Sequence, residues 1–414
     1  MADGLYPRFA RQRLTAALAD SPVVLVHGPR QCGKTTLARM VGDPAGYAYY
    51  NFDDPPTRAA ADIDPVGFVA ELPPKVVLDE VQRVPQLFAV IKTAVDRDRK
   101  PGRFILTGSA NVLLLPRLSD SLAGRIEIIR LHPLSQAELA RRKPAFLDRL
   151  LGKGFSAKGA ERLGSGLTAR VLAGGFPPAL TRRTATRRAA WHRAYLDSII
   201  QRDIRDASRI SALDALPKLL QAAAAQTASL FNASALSAPF SLSRTTIRDY
   251  LALLEAVFLI ERLPPWHSNR LSRLVKTPKL HFGDAGLAAS LLDLGTDTIA
   301  QDRARFGQLL ETFVFQELSR MASWRDRPIR FHHFRDRDGV EVDMVLEQGA
   351  HAVAGVEVKA GSTITGAAFS GLRKLQEAAG DRFVRGVVLY DGEQVLPFGE
   401  KLQAVPIRLL WEST

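Results

Sequence analysis

The eight residues Gly28-Pro29-Arg30-Gln31-Cys32-Gly33-Lys34-Thr35 fill every position of the pattern G-x-x-x-x-G-K-[ST]. No other feature of the chain constrains its fold as much. The pattern works only between a strand and a helix, and both are in place. Val23-Val24-Leu25-Val26-His27 reads as a short buried strand, and Thr36-Leu37-Ala38-Arg39-Met40-Val41 reads as the first turns of a helix. Glycine lets the backbone curl so that successive N–H groups face phosphate oxygens, at a helix N-terminus whose dipole favours anions. The spacing makes Gly28, Pro29, Arg30, Gln31, Cys32, Gly33, Lys34, Thr35 and Thr36 the expected cradle for ATP. Lys34 would reach the β- and γ-phosphates, and the Thr35 hydroxyl would ligate Mg²⁺.

Val76-Val77-Leu78-Asp79-Glu80 is an apolar strand that ends in two acids. Asp79 is the expected second metal ligand, and Glu80 is placed to activate a water for attack on phosphorus. A water-activating acid argues against a simple metabolic kinase, which transfers to a substrate hydroxyl. The next apolar run ends in Leu106-Thr107-Gly108-Ser109-Ala110-Asn111, where Thr107, Ser109 and Asn111 are all candidates to bond the γ-phosphate or the water. Ser109 is favoured. Arg125 opens the run Ile126-Glu127-Ile128-Ile129-Arg130 and is the candidate to stabilise transition-state charge, in its own chain or a neighbour's. An oligomer built through such an arginine finger is one consequence.

Short apolar strands recur at Val23–His27, Tyr47–Phe52, Val76–Asp79, Phe104–Thr107 and Ile126–Leu131, with helical or loop segments between them. That alternation predicts an α/β sheet. Residues 135–225 lose it and become rich in Ala, Arg and Leu, which reads as helical. The expected organisation is residues 1–140 as the phosphate-loop domain, 141–215 as a helical lid, 216–285 as a winged helix and 286–414 as a second α/β domain.

The winged-helix reading rests on a short helix at Leu230–Leu236 and a longer one that Ser243 would cap, from Arg244 to about Val257. Phe258–Leu263 and Lys279–Phe282 would form the wing. Arg244 and Arg248 on the helix, with Arg270 and Arg273 in the wing loop, are the candidate DNA contacts. Charge points the same way. The chain of 414 residues carries +13, and residues 181–280 hold 16 Lys or Arg against 7 Asp or Glu. Such an excess suggests a polyanion, nucleic acid before membrane. The single cysteine, the absence of an apolar leader and the lack of any 18-residue apolar run are read as a soluble, cytoplasmic protein.

Near the C-terminus, Phe306–Leu318 reads as a helix that places Glu311 among apolar neighbours. Gly339–Leu346 and Gly355–Lys359 read as strands carrying Asp343, Glu357 and Lys359. Alternation puts Glu357 and Lys359 on one face. The pattern Asp-x13-Glu-x-Lys resembles the PD-(D/E)-X-K nucleases, although Val342 stands where their proline usually does. That resemblance implies Asp343 and Glu357 as ligands for Mg²⁺ or Mn²⁺. It implies Lys359 as the group that orients water or offsets phosphorane charge, and Glu311 as a supporting acid.

The order GPRQCGKTTL, VVLDE, LTGS, LAGRIEIIRLHPLS, GGFPPAL and YLDSIIQRDI resembles prokaryotic AAA-type P-loop ATPases fused to a C-terminal restriction-endonuclease-like domain of unknown function. The resemblance spans essentially the whole chain. It implies a P-loop NTPase (ASCE-type) sheet, in which another strand separates the Walker A and Walker B strands. The resemblance supplies no settled biological role; the function expected from the motifs together is an ATP-binding and ATP-hydrolysing, DNA-interacting protein with a metal-dependent nuclease domain. The alternative is a nucleotide-switched DNA-binding or regulatory ATPase whose nuclease fold is inactive.

Overall fold

The structure, a computed structural model, describes residues 5–109, 124–156, 159–204, 215–232, 243–268 and 277–412. The chain divides into two compact units, Met1–Leu134 with Leu253–Phe258, and Ser135–Ala252 with Leu259–Thr414.

The first unit is built on five parallel strands: β1 (Val23–His27), β2 (Ala48–Asn51), β3 (Val76–Asp79), β4 (Phe104–Gly108) and β5 (Ile126–Arg130). Their spatial order is β2-β3-β4-β1-β5, so β4 separates the strand before the phosphate loop from the strand that ends in Asp79. The three central strands β1, β3 and β4 are buried along their whole length, as a parallel sheet covered on both faces requires. Alternate residues serve the two faces. Val23, Leu25, Val76, Leu78, Phe104 and Leu106 form one core with Leu87, Phe88, Ile91 and Val95 of the helix Leu87–Arg97. Val77 and Ile105 pack on the other face with Ala38 of the helix Lys34–Gly42.

The second unit holds two sheets. Strands β6 (Ser229–Leu230), β7 (Ile260–Leu263) and β8 (Lys279–Phe282) form an antiparallel sheet in the order β6-β8-β7. Residues 229 and 230 therefore pair as a strand where a short helix was expected to begin, because their edge is completed by Leu280 and Lys279. Residues 233–242, with the rest of that expected helix, lie outside the described residues. Ser243 Oγ accepts from the Thr246 N–H at 3.0 Å at the start of the helix Arg244–Ala256.

The larger sheet contains β9 (Ile329–Arg335), β10 (Glu341–Gln348), β11 (Ala352–Lys359), β12 (Phe383–Tyr390), β13 (Leu396–Pro397) and β14 (Leu402–Pro406), in the order β13-β14-β12-β11-β10-β9. It is mixed, with β11, β12 and β14 parallel and the remaining pairs antiparallel. Helix Ser370–Ala379 covers one face through Leu372, Leu375 and Ala379, which share a core with Val342, Val345, Val353, Phe383 and Val388. The long helix Arg303–Ser323 is buried at twelve of its positions. Among the described residues no helix is long and apolar enough to cross a membrane.

Gly371 lets helix Ser370–Ala379 approach β10, because a Cβ at that position would lie 1.9 Å from the Glu341 carbonyl oxygen. A Gly→Ala change inside a helix ordinarily gains about 1 kcal/mol. Overlap with backbone oxygen outweighs that gain, so Gly371→Ala should lower unfolding free energy by about 1–3 kcal/mol. Chemical denaturation measures it, and an unchanged or raised midpoint would show that the contact is not close.

Candidate functional site

The phosphate loop leaves the C-terminal end of β1, the end at which α/β sheets bind ligands. Gly28 lies so near the segment after β5 that a Cβ there would stand 2.1 Å from the Leu131 carbonyl oxygen. Gly33, with φ 102°, precedes the helix Lys34–Gly42 in a conformation that favours glycine. Gln31 takes φ 59° at the exposed tip of the loop. Arg8 pins the loop from behind, donating to the carbonyls of Cys32 and His132, each at 2.6 Å. Lys34 is buried, and its ammonium donates to the loop's own Pro29 carbonyl at 3.0 Å.

Asp79 receives hydroxyls from three elements. Thr35 Oγ1 donates at 2.9 Å, Tyr49 donates at 2.6 Å, and Thr107 Oγ1 donates to the other carboxylate oxygen. Burial and the bond to Asp79 hold the Tyr49 phenol well above its usual range. Thr35 and Asp79 are thus hard oxygen donors within hydrogen-bond distance of each other, a set that fits Mg²⁺. Glu80 adopts φ 58° and ψ 43°, left-handed for a non-glycine residue, and its N–H donates to Thr107 Oγ1 at 3.0 Å. Its carboxylate accepts from Ser109 Oγ at 2.9 Å and from Gln82, whose amide also donates to Ser109 at 2.8 Å. The ends of β1, β3 and β4 therefore gather Lys34, Thr35, Asp79, Glu80 and Ser109 into one site. Pro29 is buried, Arg30 half-buried and Thr36 exposed on the helix's first turn. Cys32 is buried, which raises its thiol pKa.

Arg125 is elsewhere. It precedes Ile126, whose partner is Val23 at the start of β1, whereas the loop follows His27, the partner of Arg130. A five-residue strand spans about 16 Å, so Arg125 stands at the opposite edge of its own sheet. There its guanidinium pairs with Asp96 at 2.5 Å and lowers that acid's pKa. An Arg125 role at the phosphates of its own chain is therefore corrected. Asn111 lies outside the described residues.

In the second unit, Glu311, Asp343, Glu357 and Lys359 converge as their spacing suggested, but around a residue assigned to the wing. Lys279 on β8 is 3% exposed, and its Nζ lies 2.9 Å from Glu311, 3.3 Å from Asp343 and 3.8 Å from Glu341. Burial alone would lower the Lys279 pKa; Glu311 and Asp343 outweigh it and hold the ammonium charged. Lys359 pairs with Glu357 at 2.7 Å. The Val358 N–H donates to Asp343 at 2.9 Å, and the Asp343 N–H donates to Glu357 at 3.3 Å. Burial and the neighbouring Asp343 push Glu357 up to about 7. Of the expected DNA contacts, Arg248 is exposed on the helix Arg244–Ala256, which begins with Arg244, while Arg270 and Arg273 lie outside the described residues.

Tyr49, Gln82, Arg8 and Lys279 are the site residues that sequence reasoning missed. Gln82, two residues beyond Glu80, carried a local signal. Arg8 and Lys279 act from 24 and 64 residues away, and nothing near them announced it.

A glycine loop, a buried lysine and an Asp-Glu strand end, gathered on a parallel sheet with β4 between β1 and β3, define an AAA-type P-loop ATPase. Consistent with that class, the AAA domain family matches residues 20–140. Two domains of unknown function match further along, DUF8612 over 165–298 and DUF4143 over 306–410. The chain is 32% identical over 403 residues to the uncharacterized proteins Rv2008c of Mycobacterium tuberculosis and Mb2031c of Mycobacterium bovis, covering 96% of this chain and 83% of each relative. The chain belongs to the family of these two mycobacterial proteins. Among solved structures, a Walker-type ATPase of Pyrococcus abyssi (PABY2304) aligns with 16% identity and a TM-score of 0.44, over 70% of this chain and 96% of that one.

His27, beside the loop, has its pKa pulled down to about 4 by burial and then by Arg130 and Lys34. The unfolded chain therefore takes up this proton first as pH falls, and stability present above pH 6.5 is lost on the way to pH 4. The loss from this residue should reach about 3 kcal/mol. Denaturation at pH 7.5 and near pH 4 should show a larger drop for wild type than for His27→Gln. Equal drops would mean that the imidazole is not held neutral.

Proposed function

We propose that this protein is a nucleotide-switched, ATP-hydrolysing DNA-binding protein whose C-terminal domain has a nuclease-like fold that does not cleave. The observation that carries the ATPase half is Glu80, held by Ser109 and Gln82 beside the Thr35–Asp79 pair. In this reading Lys34 exchanges the Pro29 carbonyl for phosphate oxygens. Thr35 and Asp79 would hold a Mg²⁺ ion, which would supply positive charge to offset the negative charge developing on the phosphoryl group. Glu80 takes the proton of the attacking water, and Ser109 positions that water or the γ-phosphate. Arg125 would reach phosphates only in a neighbouring copy.

DNA is supported by charge on the surface. Arg183, Arg187 and Arg248 are exposed, and the chain carries +13. Arg244, Arg248, Arg270 and Arg273 remain the proposed contacts, with the helix Arg244–Ala256 and the β7–β8 hairpin as a winged helix. A second reading, DNA cleavage with Mg²⁺ or Mn²⁺ on Asp343 and Glu357, is favoured by the convergence of Glu311, Asp343, Glu357 and Lys359. Nicking of plasmid DNA that Asp343→Ala abolishes would establish it over the first.

Lys34→Ala should abolish hydrolysis and weaken nucleotide binding, whereas Glu80→Gln should keep binding and lower kcat about 10²–10⁴-fold. Radiolabelled ATP with equilibrium binding measures both, and wild-type turnover in Glu80→Gln would remove Glu80 from the mechanism. Replacing Arg244 and Arg248 with Ala should flatten the dependence of log affinity on log salt by about 2. An unchanged slope, measured by fluorescence anisotropy on duplex DNA, moves the DNA site away from this helix.

A further inference from the structure

Carboxylates gathered out of water must either take up protons or face cations. Burial and the neighbouring Asp343 push Glu311 well above the usual carboxylate range, while Lys279 opposes them. A divalent ion of the nuclease kind needs oxygen atoms free to close on it at about 2.0–2.6 Å, usually six or more in number. Each oxygen of Asp343 and Glu357 already has one donor beside it. One Asp343 oxygen faces Lys279 at 3.3 Å, and the other accepts the Val358 N–H at 2.9 Å. One Glu357 oxygen is bonded to Lys359 at 2.7 Å, and the other accepts the Asp343 N–H at 3.3 Å. Glu311 gives an oxygen to Lys279 at 2.9 Å, and Glu341 is shared between Lys279 and Arg335, at 3.8 and 2.6 Å. Four carboxylates thus meet three protein cations. Among the described residues no group of three or more His, Cys, Asp or Glu is arranged to hold a metal ion. The donor set does not fit a divalent cation unless an ammonium that is 3% exposed leaves its carboxylates.

We propose that Lys279 is a permanent internal counter-cation standing where the nuclease pattern would place its metal. Two of its N–H donors bond Glu311 and Asp343, and Glu341 stands 3.8 Å away as a third acidic neighbour. β8 carries Lys279, so the ammonium ties the three-stranded sheet to the helix Arg303–Ser323 and to β10. The cluster then works as an internal ionic joint. This deepens the proposed function and rests on its reading of the C-terminal domain as nuclease-like.

The test is calorimetric titration of the full chain with Mn²⁺, in an Asp79→Asn background that silences the phosphate-loop site. The parent and an added Asp343→Asn should give the same isotherm up to about 1 mM, the weak limit for a built oxygen site. Adding Lys279→Met should create one Mn²⁺ site at least about tenfold tighter, lost again when Asp343→Asn is combined with it. A site in the parent that Asp343→Asn removes overturns the proposal. So does a folded Lys279→Met protein that gains no site. If Lys279→Met fails to fold, the comparison of the parent with Asp343→Asn decides alone. Absent salt-dependent DNA affinity would defeat the DNA reading and leave these Mn²⁺ outcomes unaltered.

Discussion

A charge withdrawn from water must be paired within the protein, and the second unit is arranged around that requirement. Its spine is the helix Arg303–Ser323, in which Glu311, Thr312, Gln316, Glu317 and Arg320 all point into protein. Arg320, 2% exposed, bonds Glu317 at 2.8 Å and Asp284 at 3.2 Å. Asp284 caps the helix Ala285–Leu291 and also accepts the Gly175 N–H at 2.9 Å, while Glu317 accepts the Gln136 N–H at 2.8 Å. Chain segments more than a hundred residues apart are therefore fixed by one ion triad. The glycines follow from it: a Cβ on Gly174 would meet the Asp284 carboxylate at 2.0 Å, and one on Gly286 would meet the Gly174 nitrogen at 2.7 Å. Two turns further back, Glu311 meets Lys279 under the same rule.

The first unit solves the same problem with hydroxyls instead of cations. Asp79 is buried, and Thr35, Tyr49 and Thr107 supply donors from the phosphate loop and two neighbouring strands. In the order β2-β3-β4-β1, β3 lies between the strand that carries Tyr49 and the strand that carries Thr107, so both hydroxyls reach the carboxylate at its end. Glu80, the next residue, is left in left-handed backbone, a conformation that costs about 1–3 kcal/mol in a non-glycine residue and persists where surroundings enforce it. Thr107 does the enforcing, bonding the Asp79 carboxylate and the Glu80 N–H together. Backbone strain is thus spent on aiming one acid toward Ser109.

Much of the phosphate-loop site was legible because its signals are local. A glycine pattern, an apolar strand and an acid pair each lie within ten residues, and buried parallel strands read as continuous apolar runs. Arg125 was misplaced because sequence proximity to a strand does not say which end of the sheet that strand starts from; the Val23–Ile126 register settles it. Leu230 read as the start of a helix because a two-residue strand is too short to show a period, and its partner Lys279 lies about fifty residues on. At the second cluster, Asp343, Glu357 and Lys359 were found by spacing, whereas Lys279 has no sequence relation to Asp343 beyond the fold.

Lys279 also bears on how charge in a sequence should be interpreted. It was one of the 16 cations counted between residues 181 and 280, and it is buried against carboxylates. Arg182 in the same stretch is half-buried and donates to the Pro178 carbonyl at 2.6 Å. Formal charge counts such residues equally with exposed ones, yet counterion release depends only on cations that reach phosphate. The exposed charges of this stretch among the described residues are Arg183, Arg187, Arg193, Lys218, Arg248 and Arg262 against Asp197 and Asp249, a surface that is positive but less so than the formal count. Under the proposed DNA reading, affinity for a polyanion would follow the spacing of these exposed side chains more than the +13 of the whole chain.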